Sequence, residues 1–401
     1  MKFAIATAAA LAAAGPAHAQ ALIFKPLIEA RLRGEIVDQA GIAEHGEAMT
    51  MRVRAGASAT RGELSVLIEG QGNLALVERY HDGLHGAATR PLIADPENVA
   101  LYRAQIQYRS APLTVTAGRQ RIALDDERFV GAVAFRQNGQ TFDAVRVEWT
   151  GVPRLKADIS YAWGVRTIWG VEGHGARQQA VSGDNVFANL SYASPLGTLS
   201  GFAYLVDQDE AAVQGYRLSS QTYGGRIAGS QNVGKVKLGY QLSYARQRDL
   251  NRNPNRYAAS YYLAEGSIDA APFRFSAGYE VLGADRGVAL TSFQTPAGTL
   301  FKFNGWGDKF LTTPPDGLRD LYATIGFTAK KPVGPLAGLT VQASYHRFES
   351  DRLTRHYGDE IDLLASAKLG RYTLSARYSG YEAGGFATDT RKAWLQVDWV
   401  F

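Results

Sequence analysis

Ile28, Ala30, Leu32, Gly34 and Ile36 are apolar or small, and the residues between them are Glu29, Arg31, Arg33 and Glu35. A helix would spread these charges round its circumference, whereas a strand sends successive side chains to opposite faces and sorts the two classes apart. The pattern recurs down the chain. Met51, Val53, Ala55 and Ala57 alternate with Arg52 and Arg54, and Tyr102, Ala104, Ile106 and Tyr108 alternate with Arg103, Gln105, Gln107 and Arg109. Val236 to Tyr244, Phe273 to Val281 and Ile361 to Leu369 read the same way. Tyr often stands at one end of the apolar face, as in an interfacial aromatic girdle. The chain has 401 residues, 46% of them hydrophobic, yet its mature part holds no apolar run long enough for a membrane helix. The charge-free stretch from Asn185 to Val206 is divided by Ser194-Pro195-Leu196-Gly197 and reads as two strands and a tight turn. Any membrane crossing is therefore made by sheet.

Strands are predicted near residues 27–36, 49–57, 63–72, 99–109, 113–120, 141–149, 154–165, 185–193, 198–206, 220–229, 236–246, 258–266, 273–283, 319–329, 338–348, 359–369, 372–381 and 392–401. The connections between them alternate strictly in length. Short turns such as 110–112, 151–153 and 370–371 are followed by long polar loops such as 73–98, 166–184 and 284–318. Short periplasmic turns and long outer loops, an even strand number and both termini at one end define an outer-membrane barrel. The fold expected is all-β: one closed antiparallel transmembrane barrel of about eighteen strands, with sixteen the alternative count. The last segment puts Ala393, Leu395, Val397, Trp399 and Phe401 on one face. Left as an edge it would invite aggregation, and pairing with the first strand removes that edge. A final aromatic on an amphipathic strand is also what the barrel-assembly machinery recognises, which makes that machinery an expected partner through Phe401.

The first twenty residues carry Lys2, an apolar run from Phe3 to Ala14, a Gly15-Pro16 break and Ala17-His18-Ala19. This order is that of a cleaved secretory signal peptide, 1–20, with cleavage near Ala19. The barrel then occupies 21–401, and the expected place is the bacterial outer membrane, after export across the inner one. No cysteine is present, so disulfides, thiolate metal centres and a lipoprotein anchor are excluded.

The charged face of such strands lines the lumen, and about eighteen strands leave room for an aqueous channel. Arg31, Arg33, Arg52, Arg54 and Arg103 crowd the first part of the chain. They form either a ring of guanidinium groups that favours anionic solutes or a ladder of Arg and Glu pairs that braces the wall. The segment from Gly118 to Arg146 combines Arg119, Arg121, Arg128, Arg136 and Arg146 with Asp125, Asp126, Glu127 and Asp143, and has no clear apolar period. It is expected to fold into the lumen near 118–140 and narrow the pore, or to form a salt-bridged latch on the wall. Outer-membrane lipid and lipopolysaccharide are further expected partners; nucleic acid is not, and no cofactor is expected. Asp125-Asp126-Glu127 and Asp207-Gln208-Asp209-Glu210 offer oxygen ligands that calcium could use. Two rival classes are a barrel hydrolase, for which Ser344 and His346 share a face two residues apart, and a general or sugar-specific uptake porin.

The segment Gly118-Arg119-Gln120-Arg121-Ile122, Leu124-Asp125-Asp126, Arg128-Phe129-Val130-Gly131, Arg136-Gln137-Asn138 and Gln140-Thr141-Phe142-Asp143-Ala144 resembles the signature of the alginate-export family of outer-membrane porins. The resemblance implies an eighteen-stranded barrel with an arginine-rich lumen that passes an anionic uronate polysaccharide or related acidic sugars. It further implies a pore role for Arg119, Arg121, Asp125, Asp126, Arg128, Arg136, Asn138, Gln140, Asp143 and Arg146.

Overall fold

A computed structural model describes residues 21–211 and 215–401, so the signal-peptide assignment lies outside the described residues. Eighteen strands follow one another: β1 (Ile23–Gln39), β2 (Gly46–Arg61), β3 (Leu64–Arg79), β4 (Asn98–Ser110), β5 (Leu113–Gln120), β6 (Thr141–Trp149), β7 (Leu155–Arg166), β8 (Ala180–Ser194), β9 (Gly197–Val206), β10 (Ser220–Val233), β11 (Val236–Asp249), β12 (Ala258–Ala270), β13 (Phe273–Leu282), β14 (Leu318–Thr328), β15 (Ala337–Glu349), β16 (His356–Leu369), β17 (Tyr372–Ala383) and β18 (Thr390–Val400). Each pairs antiparallel with its neighbours in sequence, and β1 pairs with both β2 and β18, from Glu29↔Val400 to Gln39↔Thr390. The sheet is closed, so neither terminal strand presents an edge.

All eighteen predicted strands are present, but several are longer than their alternation announced. β1 has 17 residues and β2 and β3 have 16 each, against roughly 9–11 for a strand that only crosses the bilayer. β1 and β2 extend at both ends, by 23–26 and 37–39 and by 46–48 and 58–61, and β3 extends at the loop end by 73–79; there Val37 and Ala48 join Tyr80 and Ile93 of the following loop in a small buried cluster. Hydrogen bonding carries these ends past the point where the lipid-facing pattern stops. The alternation of linker lengths breaks once: the turn 329–336 is longer than the loop 350–355 that follows. That turn is itself closed by a Val333↔Leu336 bridge.

The two faces separate as the alternation predicts. Ile28, Leu32, Ile36, Met51, Leu242, Tyr244, Phe275 and Ile361 are exposed on the outer wall, while Arg33, Glu35, Arg52 and Arg54 are buried inside. Tyr102 is an exception. Glu69 pairs with Arg103 but Gly70 pairs with Leu101, so Tyr102 is the extra residue of a β-bulge. The bulge turns its ring inward, away from the lipid face it was expected to share with Ala104, Ile106 and Tyr108. There it lies 3.8 Å from the Arg54 guanidinium carbon.

Apolar residues are also not confined to the outside. Phe142, Phe187, Phe202, Tyr204 and Tyr261 point inward from β6, β8, β9 and β12, and meet Phe129 and Phe293 from two inserted loops. Phe129 packs on Tyr261 with centroids 5.1 Å apart and on Phe202 at 5.2 Å. One side of the lumen is thus filled by an aromatic core, and open space is left along the wall that runs from β11 through β18 to β1. Placing a charge on the outer face tests the lipid assignment. Leu242→Arg, near the middle of β11, is expected to lower stability by about 2–4 kcal/mol in reversible unfolding from lipid vesicles; an unchanged midpoint would contradict a lipid-facing position.

Candidate functional site

Two long loops fold into the lumen. The β5–β6 loop, 121–140, follows the short strand β5 and crosses to the opposite wall, where Arg128 forms a buried two-pronged pair with Glu280 of β13 at 2.7 and 3.2 Å and donates to Asn304 at 2.9 Å. The β13–β14 loop, 283–317, was expected to be an outer polar loop, and instead enters alongside it. Val130 bridges Ala297, Gly131 N–H donates to the Ala297 carbonyl at 2.9 Å, and the Gln140 amide bonds both the Gly131 and Ala297 carbonyls. Thr299 Oγ1 donates to Glu127 at 2.7 Å. The signal for this insertion is compositional: Phe293, Phe301, Phe303, Trp306 and Phe310 within about twenty residues are more aromatic surface than a solvated loop carries.

The predicted lumen arginines are mostly paired along the wall. Arg31 bonds Asp398 at 2.7 Å, Arg33 bonds Asp95 at 3.0 Å, and Arg52 and Arg54 share Glu29 at 3.0 and 2.8 Å. Arg103 bonds Glu69 at 2.6 Å, and Arg119 grips Asp143 through two bonds of 2.8 and 3.0 Å. Arg146 grips Asp158 at 2.8 and 2.6 Å, and Arg136 bonds Asp308 at 2.5 Å. This is the bracing ladder, and it neutralises most of the positive charge that residue type alone suggests. Asn138 is buried between Gln71, Asn98 and the Pro96 carbonyl. Burial alone would raise the Asp308 carboxyl, but Arg136 and Lys392 hold it below its ordinary value. Neighbouring Lys309, desolvated and beside Lys392, is pushed down to about 8.

Arg121 and Arg377 stand outside this pairing. Arg121 is exposed and makes no hydrogen bond or ion pair with another described residue. Arg377 of β17 likewise has none, and its guanidinium stacks 4.9 Å from the Trp306 ring and 5.4 Å from that of Phe135. Inward parity on β17 places Arg377 on the lumen face, but it stands far from the arginine-rich first part of the chain, so its sequence position does not single it out as a site residue.

Arg377 and Arg31 line an inner chamber of about 620 Å³. Its lining also carries Glu265, bonded by the Tyr322 hydroxyl at 2.7 Å, the loop residue Asp126, which accepts from Gln241 at 2.6 Å, and the acids Glu127, Glu280, Asp320 and Asp362. A second, outer cavity of about 350 Å³ lies nearer the loop end, between Arg136, Gln140, Trp169, Lys309 and Lys392. The two cavities meet at the inserted loops. Val133, Arg136, Gly298 and Leu300 line the outer cavity, Ala134, Phe135, Thr299 and Lys302 the inner, and Phe301 lines both. Phe135 and Phe301 stack with centroids 3.4 Å apart and planes within 4°. Of the fifteen predicted site residues, Arg31 and Asp126 reach the inner chamber, Arg136 and Gln140 the outer cavity, and Arg119 and Asn138 a side pocket of about 260 Å³.

The acidic clusters do not gather for calcium. Positive φ values of 51° at Asp125 and 69° at Glu127 splay the three side chains, so Asp125 turns to Asn189, Asp126 to Gln241 and Glu127 to Thr299. Asp207 bonds Asn251 and Asp209 bonds Arg252. Among the described residues no group of three or more His, Asp or Glu side chains is placed to hold a metal ion. His346 is clasped by Asp320 at 3.0 Å, while the Ser344 hydroxyl pairs with Thr324 at 2.9 Å. The hydroxyl is thus engaged away from the imidazole that a hydrolytic centre would need as its base.

A sequence model described as alginate export matches residues 75–248, a range that contains the segment 118–146. No curated protein sequence matches the chain. Solved structures with the same fold include the outer membrane protein OpdK from Pseudomonas aeruginosa, at 14% identity over 94% of this chain and 98% of that one, with a TM-score of 0.70. OccAB4 from Acinetobacter baumannii is 12% identical over 95% and 98%, also with a TM-score of 0.70. OpdK has also been solved with vanillate. The chain has the closed eighteen-stranded fold of outer-membrane porins.

The pairing of Arg128 with Glu280 generates a stability test. Glu280→Ala leaves a buried guanidinium without its acid and is expected to cost about 3–5 kcal/mol, read as an earlier unfolding midpoint and faster proteolysis within 121–140; an unchanged midpoint would show that the loop is held elsewhere.

Proposed function

We propose that the barrel is a passive channel for small organic anions, acidic monosaccharides among them, in the manner of an uptake porin. The observation that carries this reading is the inner chamber, where Arg377 offers unpaired donors beside Arg31 against the faces of Phe135 and Trp306. A planar carboxylate suits a guanidinium fork, and a ring or sugar face suits the flanking aromatics. The volume of about 620 Å³ is that of a small-molecule site. The vanillate in the structure of OpdK, itself a small carboxylate, supports the same class of solute.

Outward passage of an anionic polysaccharide is the second reading, favoured by the family match across 75–248. It draws less support from the lumen, because the inserted loops 121–140 and 283–317, joined to each other and packed on the wall, take up space that a polymer would need. Selectivity in the preferred reading comes chiefly from Arg31, Arg121 and Arg377. Arg33, Arg52, Arg54, Arg103, Arg119, Arg128, Arg136 and Arg146 act as braces that hold the wall and loops, with Asp125, Asp126, Asn138, Gln140 and Asp143 as their polar partners. In planar bilayers under a salt gradient the protein is expected to be anion-selective. A charge at about 4 Å in water-filled space is worth about 1 kcal/mol, so each of Arg31→Gln and Arg377→Gln should lower the anion-to-cation permeability ratio about fivefold. Cation selectivity would overturn the reading. Entry of galacturonate but not of long oligogalacturonate into proteoliposomes separates the small-solute reading from the polymer one.

A further inference from the structure

The barrel wall is notched on one side. β5 stops at Gln120, and its ladder with β4 runs only from Ser110↔Leu113 to Ala104↔Arg119, so residues 98–103 of β4 have no β5 strand beside them. Across the notch stand Thr141 of β6 and Arg166 of β7, which lie opposite each other. The side pocket of about 260 Å³ occupies this notch. Its lining on the lumen side, Gln71, Asn98, Tyr102 and Asn138, is buried, whereas Val99 and Leu101 on the other face of β4 are exposed. The pocket therefore opens outward, toward lipid. The loop from Thr167 to Gln179 lines its upper side, pinned where the Val171 N–H donates to the Asn98 side chain at 3.0 Å.

Charges stand on the lipid face of this notch. Ile68↔Ala104, Ala104↔Arg119 and Arg119↔Asp143 are opposite pairs, and opposite residues share a face of a sheet. Arg119 and Asp143 therefore lie on the side of Ile68, which is exposed on the outer wall. Arg119 Nη1 donates to the Leu101 carbonyl at 3.0 Å, while Nε and Nη2 grip Asp143. Arg166 donates from Nε to the same carboxylate at 3.2 Å, and its two terminal nitrogens bond no described residue. One acid thus serves two guanidiniums and leaves a positive charge. Charge on the outer wall is costly at the bilayer midplane and tolerated near the interfaces, which aromatic girdles mark. Tyr161 and Trp163 of β7 are exposed just below, since Val145 pairs with Tyr161 and Asp143 with Gly164. The cluster is at headgroup height.

We propose that the notch is a lipid site, in which the free fork of Arg166, beside Arg119, holds a phosphate on the head of a lipopolysaccharide molecule while the acyl chains lie on Leu101 and the outer wall below. A phosphate matches the guanidinium fork and supplies the charge that Asp143 alone does not balance. Val99 and Leu101 give the apolar part of the same molecule a surface beside the charged one. The bound head fills the place that β5 leaves by stopping short. The site is outside the lumen and is independent of the solute that the channel passes.

The test is native mass spectrometry of the full chain in detergent, with bisphosphorylated lipid A as the probe, lipid A stripped of its phosphates as the control and inorganic phosphate as a soluble competitor. The native protein should retain the bisphosphorylated form about tenfold more tightly than the stripped one, the scale of a hydrogen bond to a charged group. Inorganic phosphate should not displace it. Arg166→Gln should erase most of that difference with an unchanged unfolding midpoint. Arg347→Gln, which removes an exposed guanidinium from the outer face of β15, should bind as the native protein does. Equal retention of the two lipids by the native protein, full binding by Arg166→Gln, or an equal loss in Arg347→Gln would each overturn the site, the last by showing general charge attraction. Displacement of lipid A by inorganic phosphate would show a site for soluble anions and overturn the lipid as its occupant.

Discussion

Inside a bilayer no water is available to a backbone amide, so every N–H and C=O along the crossing must find its partner within the protein. The ladder from Glu29↔Val400 to Gln39↔Thr390 meets that demand for the two strands that would otherwise be edges. Everything else follows from this closure. Once the sheet is a ring, the outer side of each strand meets lipid and the inner side meets the lumen, and the alternation that sorts Ile28 and Leu32 from Arg31 and Arg33 acquires a direction in space.

Closure also creates the problem that the inserted loops solve. An eighteen-stranded ring leaves a wide interior, and charged side chains lining it would stand either hydrated or paired. In this barrel they are paired with acids one strand away, as in Arg103 with Glu69 and Arg146 with Asp158, and the loops 121–140 and 283–317 take up much of the remaining space. The loops are joined to each other by backbone bonds and to the wall by Arg128 and Glu280, while Phe129 and Phe293 seal them against aromatics of β8, β9 and β12. What stays open is a small space in which Arg31 and Arg377 face a lining that includes Glu265, Asp126 and Asp362.

The strands were legible because lipid on one face and water on the other impose a period of two on every strand that crosses. Where lipid no longer acts, legibility fades: the loop-end extensions of β1 to β3 follow hydrogen bonding and packing around Val37 and Ile93, and the Tyr102 bulge is invisible to strict alternation. In the segment 118–146 the density of Arg and acid residues pointed to the lumen, yet it could not separate a selectivity ring from a bracing ladder. That difference lies in distances between residues far apart in sequence, such as Arg128 and Glu280 or Arg136 and Asp308. Arg377 shows the converse. Its alternation puts it on the lumen face, but that its guanidinium bonds no acid and lies against Trp306 and Phe135 is decided by loops far away in sequence.

The sequence by itself determined that this chain crosses as sheet, in about eighteen strands, with a charged interior, because side-chain alternation is a local property and lipid makes it obligatory. Tertiary structure alone decided which charges remain free. Pairing depends on which strands and loops meet across the ring, so only the folded barrel shows Arg33, Arg128 and Arg136 neutralised, Arg377 left unpaired, and Phe135 laid on Phe301 between two cavities.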